Sequence, residues 1–203
     1  MILQLASSRV SPSELYDQSY VIQDPQKLAE TIKQALSPLK LNKTGAGDHT
    51  QQVPRDIASL EDRLFEARAS CKIKTAAVAM YLPSEWRSRF FSQLDDLMDA
   101  ENWEDDDTPI TEASFATLLR MLLLIWPVRR PGLGATSEGH IIATWSIEKD
   151  RLTIECLPGD RIRWVVNKYI EGNRESAAGD IPLTRLNAVL APYDPECWFV
   201  DAS

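Results

Sequence analysis

GHIIATWSIEKDRLTIECLPGDRIRWVV, residues 139–166, is the stretch on which the fold turns. Apolar residues recur at every second position in three short runs. Ala143, Trp145 and Ile147 alternate with Thr144 and Ser146; Leu152, Ile154 and Cys156 alternate with Thr153 and Glu155; Ile162, Trp164 and Val166 alternate with Arg163 and Val165. A period of two sends successive side chains to opposite faces, so each run reads as a half-buried strand. The short breaks between them make neighbours antiparallel.

The breaks also set the register, because a slip of one residue would turn the apolar set to solvent. A two-residue turn at Lys149-Asp150 pairs Ile147 with Leu152, Trp145 with Ile154 and Ala143 with Cys156. A three-residue turn at Pro158-Gly159-Asp160 pairs Cys156 with Ile162, Ile154 with Trp164 and Leu152 with Val166. The expected inner face has a central row Trp145–Ile154–Trp164. The expected outer row is Thr144–Glu155–Arg163, where opposite charges contribute ~0.2–1 kcal/mol.

Upstream the period changes to 3.6. Asp24 as N-cap, Pro25 at the first helical position, and Leu28, Ile32, Ala35 and Leu36 describe a short amphipathic helix that Pro38 closes. The polar, glycine-bearing stretch 40–54 reads as a linker, so residues 1–39 form a helical arm and 55–203 a single domain. From Asp56 a helix runs to about Ser70 with Ile57, Leu60 and Leu64 on one face, whereas 73–82 fits a continuing helix or a buried strand. Pro83 and Ser84 open a helix with Trp86, Phe90, Leu94 and Leu97 on one stripe. Thr111 caps another, in which Phe115, Leu118, Leu119, Leu122 and Trp126 turn inward.

Helices thus occupy 56–126, the meander 140–170 and a short closing helix 182–191, with Gly132 and Gly134 in a loop. The fold class is α+β: helices packed on one face of a small three-stranded antiparallel meander, with a helical N-terminal half. The Gly-x-Ile-x-x-x-Trp strand at Gly139–Trp145, the Leu-x-Ile-x-x-x-Pro hairpin at Leu152–Pro158 and the aromatic strand around Trp164 resemble the helix-then-meander cores of small uncharacterised bacterial proteins. The resemblance covers residues 139–166. It implies a bacterial source and carries over no catalytic residue.

Composition narrows the function classes. With 44% hydrophobic and 26% charged residues, and six Trp that each need a packed setting, the chain reads as globular. A net charge of −8 repels a phosphate backbone, so nucleic acid is a disfavoured partner. No apolar run reaches the ~18 residues of a membrane span. The most apolar stretch, Leu118–Trp126, contains Arg120 and stops at Pro127, and Met1–Ala6 lacks the flank of a secretory signal. Cys71, Cys156 and Cys197 are odd in number and widely spaced, which suits reduced thiols in a cytoplasmic protein better than disulfides or zinc.

No phosphate loop, dinucleotide fingerprint or nucleophile elbow is present in the sequence. His49 falls in the linker and His140 opens the first strand. His140 could serve Cys156 as a base, but Cys156 falls on the core face, where a thiol is inert. The one unusual constellation is Asp95, Asp96, Asp99, Glu101, Glu104, Asp105, Asp106 and Asp107, with no Lys or Arg from Phe90 to Leu119. Asp95 and Asp99, four apart, share a helix face and could offer oxygens to Mg²⁺ or Ca²⁺, but the tract lacks the glycine and ligand spacing of a calcium loop. Arg129, Arg130, Lys149, Arg151, Arg161 and Arg163 lie elsewhere, and so lopsided a charge distribution is compatible with a homo-oligomer.

The expected function is a non-enzymatic protein–protein interaction or accessory protein, antitoxin-like or an operon-partner subunit. It would bind a protein with a basic surface through those eight carboxylates, with no cofactor and no metal. The alternative is a metal-dependent hydrolase or nuclease using the same carboxylates.

Overall fold

Ser59 accepts a hydrogen bond from the Asp62 amide while the Asp62 carboxylate accepts one from the Ser59 amide. This capping box opens helix α1, Leu60–Val78. The structure is a computed structural model that describes residues 58–82 and 86–200. The expected arm, 1–39, and linker, 40–54, lie outside the described residues. Helix α1 settles the stretch 73–82: it stays helical to Val78 and ends in a 3₁₀ turn at Ala79–Tyr81. The buried Thr75 hydroxyl donates back to the Cys71 carbonyl at 2.8 Å, which removes the polar penalty of the position.

Helix α2, Trp86–Leu97, buries Trp86, Phe90 and Leu94. Thr111 caps helix α3, Glu112–Ile125, by accepting from the Ser114 amide. Phe115, Leu118, Leu119 and Leu122 turn inward as the spacing predicts. Trp126 does not. At φ 45° it is the left-handed cap that ends the helix, so the backbone leaves the helical path and the ring stands 53% exposed.

The sheet has five strands, not three: β1 Gly132–Ala135, β2 Ile141–Ile147, β3 Asp150–Leu157, β4 Arg161–Ile170 and β5 Asn173–Pro182, antiparallel throughout and in sequential order. The expected loop around Gly132 and Gly134 is therefore an edge strand. The predicted β3–β4 register holds, with Ile154 opposite Trp164 and Glu155 opposite Arg163. The β2–β3 register is offset by two residues, because the turn is Glu148-Lys149 and Ile147 pairs with Asp150. Ala143, not Trp145, faces Ile154, and Trp145 faces Leu152. The outer row correspondingly becomes Ile142–Glu155–Arg163, with Thr144 opposite Thr153. A shift of two leaves every side chain on its predicted face, so Ile141, Ala143, Trp145, Ile154, Trp164 and Val166 are buried together.

Helix α3 is bolted to this face. The Ser114 hydroxyl donates to the Cys156 carbonyl at 2.6 Å and accepts from the Ile141 amide at 2.8 Å, and the Thr117 hydroxyl donates to the Leu157 carbonyl at 2.8 Å. Beyond β5 come the short helices α4, Leu186–Leu190, and α5, Glu196–Phe199. The Phe199 carbonyl accepts from the amides of Val128 and Arg129, and its ring meets Trp145 edge-on at 5.2 Å. Two indoles donate to the same connection, Trp86 to the Val128 carbonyl and Trp145 to the Arg129 carbonyl. Among the described residues no helix is long and apolar enough to cross a membrane.

Candidate acidic docking surface

Asp95 and Asp96 lie in the last turn of α2 and the rest of the acidic tract in the connection to α3, whose backbone is held at several points. Gly139 in the β1–β2 turn has φ +78°, and a β-carbon there would stand 2.6 Å from the Pro109 carbonyl, so only glycine lets the connection lie this close. Thr108 donates its amide to Ser137 and Thr111 its amide to Gly139. Trp103 donates to the Leu97 carbonyl at 2.8 Å and Asn102 to the Asp96 carbonyl at 3.2 Å. From α1, Arg63 donates to the carbonyls of Asp105 and Asp107. A guanidinium thus serves the backbone of the tract rather than its carboxylates.

The eight carboxylates divide by role. Asp95 faces α1, where Lys72 reaches it at 2.6 Å and Arg68 at 3.8 Å, so a cation absent from its sequence neighbourhood arrives through the fold. Asp99 caps the 3₁₀ turn Ala100–Asn102 by accepting from the Glu101 amide, and Asp107 accepts from the Glu104 amide at 2.9 Å. Asp96, Glu101, Glu104, Asp105 and Asp106 are exposed. Asp95 and Asp99 are engaged differently, one in an ion pair and one in a cap, and among the described residues no three metal-ligating side chains converge.

Farther along, the Ser70 hydroxyl donates to Glu112, and Lys74 reaches the same carboxylate at 3.3 Å. The Ser70 hydrogen bond is the larger cause holding this carboxyl below its usual 4.5. His140 meets Glu155 at 2.9 Å, and Arg163 donates to the other oxygen of Glu155 at 2.8 Å. That trio lies across the outer face of the sheet. Cys156 is on the opposite face, so the structure separates it from His140. Burial pushes the Cys71 thiol up to about 12 and raises that of Cys156 as well, which leaves both as inert core groups.

One feature of α1 escaped sequence reading. Leu64, Cys71 and Val78, seven apart, face the core. On the far side Phe65 and Ile73 stand 63% and 59% exposed, with Ala69 and Ala76 beside them, and Met80 in the 3₁₀ turn that follows is 73% exposed. Within the helix Ala69, Ile73 and Ala76 follow at a four-three spacing, the pattern by which one helix packs against another. That spacing was the available signal, hidden because 73–82 was open between helix and strand. Comparison with family models, with curated proteins and with solved structures gives no match.

Proposed function

We propose that this chain is a non-enzymatic interaction subunit, of the accessory or antitoxin-like kind, whose partner presents a basic amphipathic helix. Two observations support the reading: exposed carboxylates lie on a loop whose backbone Arg63 of α1 holds, and the same helix presents the exposed apolar side chains Phe65 and Ile73. Exposed apolar anchors and exposed charge are the two components of a docking surface. Fixing the loop in advance lowers the ordering cost of association. A helix with Leu on one side and Lys or Arg beside it complements both parts.

A fluorescein-labelled Lys/Leu amphipathic helical peptide tests the reading by equilibrium anisotropy. We expect saturable binding that weakens by about tenfold, ~1.4 kcal/mol, in the quadruple variant D96N/E104Q/D105N/D106N. The variant I73E/M80E should weaken it as well. It adds negative charge, so its loss of affinity reports the apolar contact rather than attraction. Equal binding to the wild type and both variants would contradict the reading. Calorimetric titration with Mg²⁺ and Mn²⁺ checks the hydrolase alternative: no stoichiometric heat is expected, and micromolar uptake lost in Asp99→Asn would replace docking with a metal site.

A further inference from the structure

The outer face of the sheet carries a groove of about 600 Å³ along β1, β2 and β3, on which Arg129, Arg130 and Arg151 all border. Its volume lies within the ~300–1,000 Å³ of small-molecule sites. At the other end of the same face the arginines are neutralised: Arg161 pairs with Asp180 at 2.6 Å and Arg163 with Glu155 at 2.8 Å. Among the described residues neither Arg130 nor Arg151 makes an ion pair. Hydroxyls stand beside these cations. Thr144 and Thr153 are cross-strand partners, Ser146 is the partner of Arg151, and all three line the groove.

The segment bearing Arg129 and Arg130 is rigidly placed. Its carbonyls accept from three buried or half-buried donors, Trp86 at Val128, Trp145 at Arg129 and Gln93 at Pro131. Next to it, Gly132 and Gly134 take their places in β1 opposite Thr144 and Ile142. Packing gives no reason for either glycine. A β-carbon would meet the Thr144 carbonyl at 3.7 Å or the Ile142 β-carbon at 3.8 Å, ordinary contact distances, and neither residue has a positive φ. Glycine in a strand costs ~0.5–1 kcal/mol relative to a residue with a side chain, and marks places where a ligand approaches the backbone closely. Here the two open the wall of the groove.

We propose that this groove binds a phosphate ester of small-molecule size, with its anionic group between Arg130 and Arg151 and its organic part against Gly132 and Gly134. Guanidinium forks and hydroxyl donors match phosphate oxygens. An extended polyanion fits less well, since the chain carries a net charge of −8 and would repel the rest of it. The inference stands apart from the acidic docking surface, which involves none of these residues.

The test is a heteronuclear NMR titration of the full chain with AMP, glucose 6-phosphate and inorganic phosphate, with citrate and a single-stranded oligonucleotide as comparators. The two esters should shift the amides of Gly132, Gly134 and Thr144 saturably, inorganic phosphate more weakly, and citrate and the oligonucleotide less than either ester. R130M/R151M should weaken ester binding by about tenfold or more. Gly134→Ala, whose β-carbon would meet Ile142 only at 3.8 Å, should weaken it without lowering the thermal midpoint. An absence of saturable shifts at millimolar ester overturns the proposal, as does ester binding indifferent to R130M/R151M. Tighter binding of citrate or of the oligonucleotide overturns the assigned ligand class.

Discussion

Ser114 on α3 donates its hydroxyl to the backbone carbonyl of Cys156 at 2.6 Å, from a side chain with no exposed surface. The same oxygen accepts from Ile141, the strand partner of Cys156, so one hydroxyl takes both backbone groups at the end of the β2–β3 pair. Ser114→Ala leaves a buried donor and a buried acceptor unpaired, and each orphaned group costs about 1–3 kcal/mol. Urea unfolding should show a loss in that range or above it. A change below about 0.5 kcal/mol, the size of an ordinary surface substitution, would mean that the joint is not made.

Trp164 faces Gly179 across the β4–β5 pair, and a β-carbon at Gly179 would stand 2.9 Å from the indole nitrogen. The ring fills the space the glycine leaves and tilts against Tyr193 at 5.8 Å. Gly179→Ala should therefore destabilise by overpacking, about 1–3 kcal/mol. Trp164→Ala should cost more, about 3–5 kcal/mol, from lost burial and the cavity left behind. Thermal or urea midpoints of the two variants check the order, and a neutral Gly179→Ala would place the ring elsewhere.

These two sites show why the sheet was legible in part. Alternation identified which residues of β2, β3 and β4 face inward, since burial of one face imposes a period of two. It could not identify the turn. Glu148 adopts φ 51° where glycine, asparagine or aspartate is the usual signal, and Asp150 drew the expected turn one residue too late. Strand β5 has no such alternation: Ser176, Ala177, Ala178 and Gly179 lie on an edge, and one of them is chosen to admit Trp164. The acidic tract was visible as composition, but Lys72, 23 residues before Asp95, could be assigned to it only through helix packing.

Glu112 gives the fold a pH dependence of known sign. Its carboxyl is held below the usual 4.5, first by the Ser70 hydroxyl, so the native state favours the ionised form. The contribution is fully present above about pH 4.5 and shrinks as pH falls through the lower native value. Ser70→Ala should lower the urea midpoint at about pH 7 and make a smaller difference at about pH 3. A larger difference at the acidic end would reverse the assignment.

Thiol labelling tests burial directly. Cys71 and Cys156 are buried, whereas Cys197 is only partly covered, although burial raises its thiol too. Iodoacetamide at about pH 8 should modify Cys197 first and reach the other two only as the chain unfolds. Mass mapping of the first adduct reads the result; early labelling of Cys156 would contradict the inner-face placement of β3.

The docking account makes its sharpest claim in kinetics. Exposed carboxylates act through a field screened over ~8 Å at physiological ionic strength, so they steer encounter more than they hold a complex together. Stopped-flow association of the Lys/Leu peptide across a salt series measures this. The account predicts an association rate that falls steeply with salt, and a slower, nearly salt-independent rate for D96N/E104Q/D105N/D106N, with dissociation little changed. An association rate insensitive to salt in the wild type, or a variant altered only in dissociation, would contradict it.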